Sequence, residues 1–221
     1  MAKSKVKVKI CGITNGPDAR CACRAGADFL GFNFYTGSPR YVDPGKARRI
    51  VRRLPDGVAS VGVFVNEPQE DLVRIARAVG LHYVQLHGEE TPAEVSRLRR
   101  ALPAVKIIKA IRVQNGFHVK QLTRFRDASA ILLDGFDARR RGGTGKTFDW
   151  SLARANGHPR IFLAGGLTPE NVVEAIRVAR PYAIDVCSGV ESSPGKKDHA
   201  RISALMRPLK GAKRSRGEAG R

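Results

Sequence analysis

Two residues with side chains able to move protons, one thiol and one carboxyl, each sit where a strand-like run stops. Cys11 follows the apolar run 6–10, and Asp134 follows the run 130–133. A thiol ionises near pKa ~8.5, so a modest electrostatic push makes it a proton abstractor at neutral pH. A carboxyl group becomes a proton donor when partial burial raises its pKa. Together they suit general acid/base work on one substrate. The alternatives are a buried structural thiol and an aspartate that caps its own loop. Arg40 offers a planar fork for a carboxylate, or is one more surface arginine in a basic chain. His87 is either a hydrogen-bonding group near the site or a packed residue at a strand end. Asp185 is a rival acid, although its place inside the run 183–186 suits a structural role.

A second set of residues suits an anion. Gly165-Gly166 precede Thr168-Pro169, and Ser188-Gly189 follow the last strand-like run. Glycines let backbone N–H groups approach a phosphate, and helix N-termini add partial positive charge. A third glycine loop, Gly142-Gly143-Thr144-Gly145, follows the run 130–133, and Gly143 and Gly145 are candidates to close over the same group. Tight turns are the plainer explanation for any one of these loops. Their common position after strand-like runs favours a phosphate grip.

The elements that must position these groups recur in a simple order. Apolar runs lie at 6–10, 29–34, 59–65, 83–86, 105–111, 130–133, 161–164 and 183–186. Most are continuous rather than alternating, as in parallel strands covered on both faces. Amphipathic segments separate them. Asp43-Pro44, Thr91-Pro92 and Thr168-Pro169 each place a capping side chain before a proline at an expected helix start. Thr91 with Glu94 has the spacing of a capping box. Leu72, Ile75, Ala76 and Val79 make one helical stripe, Val172, Val173 and Ile176 another, and Ile202, Leu205 and Met206 a third. Eight strand–helix units predict an α/β fold, a single-domain (β/α)8 TIM barrel over 1–209, followed by a short disordered basic tail over 210–221. A doubly wound open sheet is the rival. In a barrel, residues at the C-terminal ends of strands share one face, and there the end of strand 1 and the end of strand 6 address opposite sides of a bound molecule.

Composition narrows the function classes. The chain has 221 residues, 42% of them hydrophobic, enough for a core without staples. Its net charge is +20, from 40 Lys+Arg against 20 Asp+Glu, which raises nucleic-acid binding as a rival function. The basic residues are spread over expected helix surfaces, as at Arg48-Arg49, Arg52-Arg53 and Arg139 to Arg141, and aromatics do not interleave with them. No specific nucleic-acid partner is expected, only weak salt-sensitive polyanion binding. Neither a membrane-length apolar stretch nor a secretory block is present, so a cytoplasmic protein is expected, monomer or homodimer. The four cysteines, Cys11, Cys21, Cys23 and Cys187, have no zinc-like spacing. No metal and no cofactor are expected; the partner is a small phosphorylated substrate.

Over nearly the whole chain, from residue 6 to about 206, the sequence resembles the phosphoribosylanthranilate isomerase family. The resemblance is carried by Val8-Lys9-Ile10-Cys11-Gly12-Ile13-Thr14, Gly31-Phe32 with Ser38-Pro39-Arg40-Tyr41, Val61-Gly62-Val63-Phe64 and Val84-Gln85-Leu86-His87-Gly88. It continues through Leu133-Asp134 with Gly142-Gly143-Thr144-Gly145, Leu163-Ala164-Gly165-Gly166-Leu167 and Asp185-Val186-Cys187-Ser188-Gly189-Val190-Glu191. It implies an Amadori rearrangement in tryptophan biosynthesis, without cofactor or metal. It also implies Asp134 as general acid, Cys11 as general base, Arg40 on the anthranilate carboxylate, and Gly166, Ser188 and Gly189 at the phosphate. One departure is Cys187, where the family usually has serine; phosphate binding is expected to survive it. A histidine-pathway or dual-specificity isomerase of the same fold is the nearest rival, and for those enzymes the resemblance implies an aspartate in place of Cys11.

Overall fold

Eight parallel strands close into a barrel in sequence order: β1 (Lys7–Ile10), β2 (Phe29–Asn33), β3 (Ala59–Phe64), β4 (Tyr83–Leu86), β5 (Lys106–Arg112), β6 (Ala130–Asp134), β7 (Ile161–Ala164) and β8 (Ala183–Val186). The last strand returns to the first with Ile10 beside Val186. The structure is a computed structural model that describes residues 6–113, 117–135, 149–154 and 160–211. The closed sheet decides against the open doubly wound alternative.

Among the described residues, six α-helices pack outside the strands: α1 (Gly16–Ala25), α2 (Pro44–Val51), α3 (Gln69–Val79), α4 (Pro92–Ala101), α5 (Val172–Ala179) and α6 (His199–Gly211). Two of the expected starts hold. Asp43 caps α2 through the Lys46 N–H, and Thr91 with Glu94 forms a complete capping box on α4. The third does not: α5 begins at Val172 with Asn171 as its N-cap. Thr168 sits in the preceding turn, where its N–H donates to Asn171 Oδ1 at 2.9 Å. The stripe of α5 also differs from expectation, because Val172, Ala175 and Ala179 are buried while Val173 faces solvent. After β5 and β6 the described residues contain 3-10 helices rather than α-helices, Val119–Phe125 and Trp150–Ala153. Of the first, Leu122 is buried, and Val119 and Phe125 are partly buried against the core. No described helix is long and apolar enough to cross a membrane.

Two cores follow from strand alternation. Odd positions of β1 to β3 and of β4, and even positions of β5 to β7, face the barrel axis, where Phe29, Val61, Ile108, Leu132 and Phe162 pack together. The opposite faces, with Ile10, Phe32, Phe64, Ile107 and Ile131, meet the helices. Each such large side chain contributes about 1.5–3 kcal/mol on full burial. The N-terminal end of the barrel is plugged by Phe29, Tyr83, Phe162 and Tyr182, with Lys7 over the rings of Phe29 and Tyr182.

A short hairpin, β9 (Glu191–Ser193) with β10 (Lys196–Lys197), follows β8 and was not foreseen from the sequence. Asp18 of α1 anchors it, accepting from the Lys197 N–H at 2.9 Å, Asn15 Nδ2 at 2.8 Å and His199 Nε2 at 2.9 Å. Against the opposing push of burial, these partners hold its carboxyl below the usual range. Asp18→Asn is therefore expected to lose about 1–3 kcal/mol at neutral pH. A depressed carboxyl stabilises the fold above its unfolded pKa of ~3.9 and loses that contribution as pH falls through the folded value. Urea melts of the two proteins should thus differ at pH 7 and converge in acid.

Candidate active site

The inward-facing rows end in polar residues at the C-terminal mouth. On β1 the row reads Lys7, Lys9, Cys11; on β4 Tyr83, Gln85, His87; on β6 Ala130, Leu132, Asp134; and on β8 Ala183, Asp185, Cys187. Period-two geometry thus brings Cys11, His87 and Asp134 to the same opening. A cleft of about 380 Å³ opens beside His87 and is lined by Gly88, Glu90, Lys109, Arg112 and Phe125, among others. Lys109 is committed within it to Glu90 at 2.6 Å and the Gly88 carbonyl at 2.7 Å.

Cys11 follows β1, its N–H donating to the Val186 carbonyl at 2.9 Å. Gly31 on the neighbouring strand is needed there, because a Cβ would lie 2.7 Å from Cys11 Sγ. The thiol is held well below its ordinary pKa. A hydrogen bond from Cys187 lowers it most, burial opposes, and the positive charges of Lys9 and Lys197 add to the lowering. Cys187 is pushed up in turn, by its bond to Cys11 and by burial. The departure at 187 therefore bears on the proton affinity of Cys11 as well as on the phosphate loop.

Beneath the mouth, Lys9 is fully buried, donating to Asp185 Oδ2 at 2.7 Å and Gln85 Oε1 at 2.9 Å. Burial pushes Asp185 up to about 7 in spite of Lys9. Gln85 Nε2 lies 2.7 Å from His87 Nδ1, and His87 Nε2 lies 3.2 Å from Asp134 Oδ2. Asp185 thus serves the barrel interior rather than the mouth, in line with its strand-interior position.

The glycine loops after β7 and β8 meet. A Cβ on Gly189 would collide with the Leu167 carbonyl oxygen, and one on Gly165 would come within 2.6 Å of the Gly135 nitrogen. Gly165 and Gly166 have φ of 91° and 64°. Asn171 Nδ2 donates to the Gly166 carbonyl at 2.9 Å, and Arg201 Nε to the Gly189 carbonyl at 2.9 Å. Ser188 begins a single 3-10 turn, Ser188–Val190. Gly143 and Gly145 lie outside the described residues. Gly189→Ala is expected to cost about 1–3 kcal/mol of stability through overpacking, with substrate KM raised about tenfold or more, since a tenfold loss needs only ~1.4 kcal/mol. Thermal melts and steady-state kinetics together check both parts.

Arg40 stands beside this cluster, half-buried, with Nε and Nη2 on the Glu191 carboxylate at 3.0 Å and 2.7 Å. Glu191 also accepts from Lys197 Nζ at 2.9 Å. Lys9, Gln85, Glu191 and Lys197 were not singled out from the sequence. Lys9 and Gln85 carried a usable signal, each being a polar residue inside an apolar run two positions before a candidate site residue. Among the described residues, no group of three or more His, Cys, Asp or Glu is placed to hold a metal ion.

Comparison with known proteins gives concordant matches. A family model described as N-(5'phosphoribosyl)anthranilate (PRA) isomerase matches residues 8–207. The N-(5'-phosphoribosyl)anthranilate isomerase of Trichlorobacter lovleyi is 48% identical over 210 residues, covering 94% of this chain and 99% of that protein. The crystal structure of phosphoribosyl anthranilate isomerase from Thermotoga maritima superposes with a TM-score of 0.83 at 46% identity, over 93% of this chain and 99% of its own. A structure of phosphoribosyl anthranilate isomerase in complex with reduced 1-(o-carboxyphenylamino)-1-deoxyribulose 5-phosphate matches at 44% identity and a TM-score of 0.80, with the same coverage.

Proposed function

The chain belongs to the N-(5'-phosphoribosyl)anthranilate isomerase family, and we propose that its barrel mouth isomerises N-(5'-phosphoribosyl)anthranilate with Cys11 as base and Asp134 as acid. The reaction is an Amadori rearrangement to 1-(2-carboxyphenylamino)-1-deoxyribulose 5-phosphate, a step of tryptophan biosynthesis. Asp134 gives a proton to the ribose ring oxygen. The C1–O bond breaks, and the nitrogen lone pair forms a C=N bond at C1. Cys11 thiolate then takes the proton from C2. The C2–H electrons become the C1=C2 bond, and the C=N electrons return to nitrogen. Tautomerisation of the resulting enol leaves a ketone at C2 and a CH2 group at C1, so no atom is gained or lost.

The observation that carries this reading is the placement of a thiol just after β1 and a carboxyl at the end of β6 on one mouth, with β7, β8 and their glycine loops between them. The glycine loops after β7 and β8 supply backbone N–H groups for the 5'-phosphate. Arg40, oriented by Glu191, keeps further N–H donors for the anthranilate carboxylate. His87 lies against Asp134 at the same opening.

The test is to follow the anthranilate-type fluorescence of freshly made phosphoribosylanthranilate in the presence of the purified protein, with the histidine-pathway substrate as a parallel. Rapid loss of signal on the first substrate alone is expected. A folded protein inactive on it would overturn the assignment, and comparable rates on the two would overturn single-substrate specificity.

A further inference from the structure

A row of hydrogen bonds, buried at Lys9 and Gln85 and rising to the mouth at His87 and Asp134, crosses the barrel from Asp185 through Lys9, Gln85 and His87 to Asp134. The steps are 2.7, 2.9, 2.7 and 3.2 Å. Lys9 and Gln85 are 0% and 1% exposed, so water does not replace these partners. The direction of donation along the row follows from the chemistry of its first member. An ammonium group only donates, so the Gln85 atom facing Lys9 must be the carbonyl oxygen. The amide's other end is then NH2, which only donates. The imidazole nitrogen it meets, Nδ1 of His87, must therefore present a lone pair. A neutral ring with a bare Nδ1 carries its hydrogen on Nε2, the nitrogen that faces Asp134 Oδ2. Turning the amide over would set its NH2 against the ammonium, and moving the ring hydrogen to Nδ1 would set it against the amide NH2.

We propose that Gln85, itself oriented by Lys9, is a positioning residue that holds His87 in the Nε2–H tautomer, so that His87 acts on Asp134 only as a hydrogen-bond donor. The Oδ2 atom is thereby kept as an acceptor throughout turnover. The proton that Asp134 delivers is handled by its other oxygen, and His87 Nε2 does not take it. This inference rests on the assignment of Asp134 as the acid for its kinetic part; its tautomer part stands on the geometry alone.

The two parts are tested separately. On wild-type protein with 15N-labelled histidine, the ring nitrogens of His87, assigned by comparison with His87→Gln, report the tautomer directly. A bare Nδ1 and a protonated Nε2 are expected, and a protonated Nδ1 overturns the proposal whether or not the protein is an isomerase. Gln85→Glu keeps the size and the acceptor toward Lys9 but puts an acceptor in front of Nδ1, reversing the polarity of the row. With fold verified by circular dichroism, Nδ1 is expected to become protonated. In the isomerase assay kcat is expected to fall about ten- to hundredfold with KM changed less than threefold. Gln85→Leu, which breaks the row without reversing it, should fall less than Gln85→Glu. Wild-type kcat in Gln85→Glu, or a loss confined to KM, overturns the positioning role. If wild type turns over no phosphoribosylanthranilate, the functional assignment fails while the nitrogen spectrum still decides the tautomer.

Discussion

Cys11→Ala should reduce kcat/KM by a factor of about 10²–10⁴, the range for losing a positioned general base, while leaving the melting temperature within a few degrees. The thiol is half-buried, and its removal deletes one sulfur from a polar cluster rather than a methyl packed in the core. The pH dependence makes the prediction specific. The thiolate is the working form, so kcat/KM should fall as pH drops through the pKa of Cys11. Because Cys187, Lys9 and Lys197 hold that pKa well below the ordinary thiol value, the plateau should extend to pH values where a free thiol of pKa ~8.5 would be almost wholly protonated. Cys187→Ala removes the largest lowering contribution, and its acidic limb should move upward with the high-pH plateau little changed. A wild-type limb near 8.5, unmoved by Cys187→Ala, would sink the assignment of Cys11 as a tuned base.

Asp134→Asn should be comparably severe, about 10²–10⁴ in kcat with little change in KM, because the amide keeps the shape but has no acidic proton to deliver. The two variants should stop the reaction at different points. In Cys11→Ala, Asp134 still opens the ribose ring, so the C=N species accumulates and cyanoborohydride should trap it as a reduced adduct. In Asp134→Asn the ring stays closed, and trapping should remain near the level of the substrate in buffer. Equal trapping by both variants would mean that Asp134 is not the ring-opening acid. The fold around Asp134→Asn should persist, since the Asn side-chain oxygen can still accept from His87 at the 3.2 Å position.

Much of the architecture was legible because parallel strands covered on both faces read as continuous apolar runs. The runs 83–86, 161–164 and 183–186 coincide with β4, β7 and β8 at both ends. The placement of Cys11, Asp134 and the glycine loops after β7 and β8 was legible for a related reason, since polar and glycine residues that end such runs collect on one face of a barrel. What escaped was whatever depended on contacts between distant strands. Lys9, Gln85 and Asp185 pair across β1, β4 and β8, and a single strand shows only that a polar residue interrupts its pattern. The Glu191–Lys197 hairpin is too short to leave a periodic signal. Thr168-Pro169 had good capping chemistry, yet the turn held by Asn171 delays α5 to Val172, so tertiary geometry overrode a sound local preference.

The closure of β1 against β8 also bears on synthesis. Cys11 is synthesised well before Cys187 and Lys197, which lower its pKa. The Lys9–Asp185 contact spans 176 positions, so it cannot form until nearly all of the chain is available. A nascent chain stalled before β8 would expose a thiol of ordinary acidity at residue 11. The low pKa of residue 11 is therefore acquired only once β8 and the hairpin after it have been made, and until then this sulfur stays mostly protonated.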